Sequence, residues 1–163
     1  MKTGKAFLAG VVGGAVMSAI MLMARTLMGM DVKLELLLGT MIGLQPGQAA
    51  WIIGFVMHLM ISGLIAIAYA WAFENVLPRA NAGAGVLVSV VHILIAGVFM
   101  GLMPMMHPLV PEMMPGPGFF MLNLGVMGLV AFVMLHVIFG AIVGAMYGPV
   151  LHPRGDVAAR PAV

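Results

Sequence analysis

Three of the five histidines in this chain, His58, His92 and His136, sit inside long apolar stretches, and they are the residues best suited to chemistry. An imidazole can relay protons, ligate a metal or haem iron, or join helices by hydrogen bonds. His136 lies eleven positions before Tyr147 in LVAFVMLHVIFGAIVGAMY, and His58 lies eleven before Tyr69 in HLMISGLIAIAY. At about 100° per residue, eleven steps bring a side chain back to nearly the same helix face three turns on. The two faces then read His58–Ser62–Ile65–Tyr69 and His136–Gly140–Val143–Tyr147. Such mixed polar and small faces suit a bundle interior, where an ionisable group is a functional candidate by default.

A second set of soft ligands lies in MPMMHPLVPEMMPGPG, from Met103 to Gly118. It holds Met103, Met105, Met106, His107, Met113 and Met114, with Glu112 beside them. Thioether sulfur suits Cu(I), and imidazole can complete such a site. The chain has 19 methionines in all, so a Met-rich loop is partly expected from composition, and a hydrophobic cap on the bundle is the plainer reading. Five prolines in this stretch rule out a regular helix through it.

The elements that must carry these residues follow from composition. Of 163 residues, 63% are hydrophobic and only 7% charged, and mean hydropathy is +1.17. A soluble domain of this size cannot cover itself with so little polar surface. The expected fold is an all-α membrane protein, with one four-helix transmembrane domain over residues 1–150. Its spans are expected at about 6–28, 50–73, 83–103 and 119–147, each near or above the ~20 residues a bilayer needs. Between the first two, DVKLELLLGTMIGL is too short to cross. It is expected as an outer interfacial helix capped by Asp31, with Arg25, Asp31, Lys33 and Glu35 on a solvated rim.

Lys2, Lys5, Arg79, Arg154 and Arg160 would lie on one side of the membrane, and Arg25 and Lys33 on the other. That asymmetry predicts both termini in the cytoplasm, with residues 151–163 as a cytoplasmic tail. The first apolar run exceeds a signal-peptide core and lacks a clear cleavage site, so it is expected to be retained.

Glycine spacing suggests how the spans pack. Gly10 and Gly14 form one GxxxG face, and Gly140, Gly144 and Gly148 form a longer one, both signatures of close helix approach. The second face could meet the first helix, the second helix or another copy of the chain. An offset of 78 carries His58 onto His136 and Tyr69 onto Tyr147, and an offset of 75 carries Gly10 onto Gly85. The chain then reads as two parallel helical hairpins. His92 aligns with Met17, which breaks the symmetry.

Function is less legible. Cysteine is absent, which excludes thiolate sites and Cys nucleophiles. No phosphate loop, Gly-x-Ser-x-Gly elbow, HExxH or paired carboxylates occur, so no catalysis is evident. No basic cluster with interleaved aromatics is present either, which argues against nucleic acid as a partner. The preferred reading is a structural or accessory membrane subunit, whose partners are the bilayer and a homo-oligomer or larger complex. The alternatives are haem or metal ligation by His58, His136 and His92, and proton or small-solute conduction. The segments DVKLELLLGTMIGL, WIIGFVMHLMISG, GLMPM and HVIFGAIVGAMYG resemble a family of small uncharacterised bacterial four-helix membrane proteins. The resemblance implies a bacterial inner-membrane bundle and carries no catalytic residues.

Overall fold

In the computed structural model, residues 1–29 and 33–151 are described, and four of their helices are long and apolar enough to cross a membrane. The chain is a multi-pass membrane protein. In hydrocarbon every backbone N–H and C=O must be satisfied internally, so proline-free runs of Leu, Ile, Val, Met and Ala become helices. Helix α1 spans Thr3–Met28, the short α2 Leu34–Met41, α3 Gln48–Asn75 and α4 Ala82–Gly101. A helical turn, α5, covers Met103–Met106, and α6 runs over Gly125–Leu151. Asn81 caps α4 by accepting from the Ala84 N–H at 2.8 Å, while Gly29, in the left-handed region, closes α1.

Around the bundle the order is α3, α1, α6, α4, and α4 barely meets α3. The start of α1, the end of α3 and the last turns of α6 lie together: the Lys2 N–H donates to the Tyr147 hydroxyl at 3.1 Å, and that hydroxyl donates to Glu74 at 2.5 Å. We call this the terminal end, and the opposite one the loop end.

The glycine faces are where backbones touch. A Cβ on Gly10 would overlap the Ser62 carbonyl and crowd Gly63 and Ala66, so α1 lies directly on α3. A Cβ on Gly85 would overlap the Gly140 carbonyl and crowd Gly144 in the same way. These are equivalent crossings under the 75 and 78 offsets. Even the small groups exchange consistently: Gly14 faces Ser62 in one hairpin, and Gly140 faces Ser89 in the other. The two hairpins therefore close in the same way, although they meet each other unevenly, α1 packing on α6 while α3 barely touches α4. The partner of Gly140, Gly144 and Gly148 is α4 and the Ala80–Asn81 turn before it, not the first or second span. The sequence pattern marks a face for close approach but carries nothing about which neighbour has the matching small residues.

Three boundaries differ from expectation. The last long helix starts at Gly125, not Phe119, because residues Phe119–Leu124 form a 3-10 segment with Phe120 and Met121 at φ 52° and 62°. This turn lays the Phe119 and Phe120 rings over Gly101 and Gly97 of α4. Gly125 at φ 74° then lets the chain enter α6, a conformation costly with a side chain. Helix α4 stops at Gly101, and the proline-rich loop begins with the turn α5. Helix α2 begins at Leu34 with Lys33 at its cap; the expected cap, Asp31, lies outside the described residues, as does most of the 151–163 tail.

The largest departure concerns Glu35. Expected on a solvated rim, it is only 4% exposed. Helix α2 packs so closely on α3 that a Cβ on Gly54 would overlap the Glu35 carbonyl, and one on Gly39 would overlap that of Ala50. That contact turns the Glu35 side chain inward. The charge pattern of α2 suggested a floating interfacial helix because the small residues that dock it lie in another element.

Candidate functional site: the buried imidazoles

The His58 and His136 faces both turn into the bundle. Their rings are 7% and 8% exposed, Ser62 and Tyr69 are buried beside the first, and Val143 and Tyr147 beside the second. The glycines and alanines that let the helices approach also bring the three intramembrane histidines into one neighbourhood. The His92 and His136 rings meet edge to face with centroids 4.7 Å apart. His58 and His136 are close enough to interact electrostatically, and the Glu35 carboxylate acts on His58 in the same way.

Each ring has a partner. His58 Nδ1 shares a 2.9 Å hydrogen bond with Ser18 Oγ of α1. His136 Nδ1 lies 2.7 Å from the Phe132 carbonyl, which can only accept, so that nitrogen carries the proton. His92 Nδ1 and the Tyr69 hydroxyl are 3.2 Å apart. The Phe139 ring packs edge-on against both Tyr69 and His92. Ser18 and Tyr69 are the members of this cluster that sequence spacing passed over. Ser18 lies one position from Met17, the residue aligned with His92, but nothing in the sequence says which way it faces.

The polar cluster ends abruptly toward the terminal end. Phe73 packs against the rings of both Tyr69 and Tyr147, and Phe73, Phe139 and Val143 are all fully buried. This apolar layer separates the imidazoles from the Tyr147–Glu74 pair.

A haem does not fit here. The cavity beside His136, lined by Met17, Met21, Leu135 and Phe132 among others, measures about 30 Å³. That is room for a water or two, whereas cofactor pockets measure roughly 300–1,000 Å³. Among the described residues no group of three His, Cys, Asp or Glu side chains is placed to hold a metal ion.

The loop methionines are divided. Met103 is fully buried, Met105 is 82% exposed, and Met106 and Met113 also face outward. His107 is buried and fully engaged: Nδ1 accepts from the Leu109 N–H at 3.1 Å, so Nε2 carries the proton and donates to the Leu37 carbonyl at 2.9 Å. Thr40 Oγ1, 3.1 Å from the same Nε2, also reaches Met114 Sδ at 3.7 Å. The loop is thereby fastened over α2.

Comparison of the chain with family models, with curated proteins and with solved structures gave no match.

The Ser18–His58 bond is measurable. A double-mutant cycle with Ser18→Ala and His58→Phe is expected to give a coupling of about 0.6–1.7 kcal/mol, the range for interhelical hydrogen bonds in membranes. Additive losses would mean the bond contributes nothing net.

Proposed function

We propose that this protein is a structural or accessory subunit of a bacterial inner membrane, without catalysis of its own, with both termini in the cytoplasm. One observation carries the reading: the three intramembrane imidazoles spend their contacts on Ser18, Tyr69, the Phe132 carbonyl and each other, beside a cavity of only about 30 Å³. Their role is to fix the register of four otherwise greasy helices, where an unmatched polar group is penalised. The choice of the bacterial inner membrane rests on the resemblance of the apolar segments, and the orientation on the basic residues at the terminal end. The apolar outer faces, such as Leu87, Val91, Leu94 and Ile95 on α4, suit lipid or a larger complex.

Proton transfer is the second reading, favoured by the Tyr69–His92–His136 contacts. The buried apolar layer of Phe73, Phe139 and Val143 opposes it, since a relay needs a continuous chain of polar groups or water. The two separate in one experiment. In liposomes with an imposed pH gradient, the accessory reading expects equal proton leak from wild type, His92→Phe and His136→Phe. It also expects His92→Phe to lose about 1–3 kcal/mol of stability as the buried Tyr69 hydroxyl is orphaned. Flux that disappears in either variant while its fold persists would replace the accessory reading with the relay.

A further inference from the structure

Helices α1, α2 and α3 enclose a second cavity at the loop end, of about 210 Å³ and open along one side. Its walls include Ala19, Leu22, Arg25, Glu35, Trp51 and Phe55. Glu35 is only 4% exposed and lines this cavity. A carboxylate that meets solvent only through a narrow opening gains from any ligand that supplies donors or positive charge there. Arg25 lines the same cavity without forming an ion pair to Glu35. Leu22 and Trp51 line it from exposed positions on apolar helices.

We propose that this cavity binds the headgroup of a zwitterionic phospholipid with a primary ammonium, the ammonium on Glu35 and the phosphate toward Arg25. Two opposite charges lining one cavity without pairing match a ligand that bears both signs. A lone metal cation would satisfy Glu35 but would be repelled by the guanidinium. A primary ammonium has three N–H donors, which an acceptor-only carboxylate can use. A quaternary ammonium has none, and Trp51 and Phe55 stack nearly parallel, 3° between planes, instead of forming the cage such a cation needs. The volume takes a headgroup and not a whole lipid, so the acyl chains would run past Leu22 into the bilayer.

The test is native mass spectrometry of the full chain in detergent, titrated with phosphatidylethanolamine, phosphatidylcholine and phosphatidylglycerol of identical acyl composition. Wild type is expected to retain the ethanolamine lipid about tenfold better than either other, the worth of one charge-assisted hydrogen bond. Glu35→Gln should abolish that preference, and Arg25→Gln should weaken retention of all three. Ala19→Phe, which fills the cavity from an exposed position and keeps both charges, should lower retention while leaving the melting temperature near wild type. Competition by free phosphoethanolamine at equal concentration would assign the site to a soluble headgroup instead of a lipid. Equal retention of the three lipids by wild type, or an ethanolamine preference that survives Glu35→Gln, would overturn the proposal.

Discussion

Gly85→Ala is expected to destabilise the bundle by about 1–3 kcal/mol or more, the range for overpacking a well-filled interior. The added methyl would overlap the Gly140 carbonyl, and the next obstacle is the Gly144 Cα. Both are backbone atoms in a helix, so no rotamer change relieves the clash and α4 must move away from α6. The ordinary effect of the substitution has the opposite sign, because alanine favours a helix over glycine by up to about 1 kcal/mol. Gly4→Ala isolates that opposite sign: nothing lies within 4 Å of its added Cβ. It should be neutral or slightly stabilising. Thermal unfolding of both variants in one detergent decides the matter, and similar melting temperatures would contradict the backbone contact between the hairpin's helices. Gly10→Ala, at the equivalent crossing of α1 on α3, should resemble Gly85→Ala.

His107→Leu is expected to release the loop and cost a few kcal/mol locally. The substitution strands the Leu109 N–H and removes one donor from the Leu37 carbonyl, which keeps the Thr40 hydroxyl; a polar group left unpaired costs about 1–3 kcal/mol. Water at the loop end will relieve part of this, so the effect should be larger on the loop than on the bundle. Amide exchange over residues 103–118 should rise sharply while the α1 and α3 cores stay protected. Loop protection equal to wild type would show that His107 is incidental to its anchoring. The same engagement bears on copper. If the loop captures Cu(I) through its outward methionines, affinity should fall in Met105→Leu and Met113→Leu and hardly change in His107→Leu, since both ring nitrogens are already occupied.

Helix existence and span count were legible because hydropathy needs only local composition: a proline-free apolar run of twenty or more residues has one stable form in lipid. The His58 and His136 faces were legible from the eleven-residue spacing to Tyr69 and Tyr147, since helical periodicity is itself local. The two equivalent crossings were also foreshadowed by Gly10 and Gly85 at matching offsets. The proline-rich loop announced its irregularity, but the backbone turn at Phe120 and Met121 did not. It exists because two phenyl rings find the Gly97 and Gly101 surface of another helix.

Glu35 shows the boundary most sharply. Its sequence neighbourhood, one of four charges near a short helix, describes a wet rim. Docking of Gly39 and Gly54 against the facing backbone reverses that, and it places a carboxylate beside a cavity, within electrostatic reach of His58. The contact between His92 and His136 has the same origin, because α4 and α6 are brought together by glycines whose partner the sequence does not name. Composition and periodicity determined what each segment is and which face it hides. Which hidden faces meet was decided by shape complementarity between residues far apart in the chain, a property of pairs of surfaces that no single stretch contains.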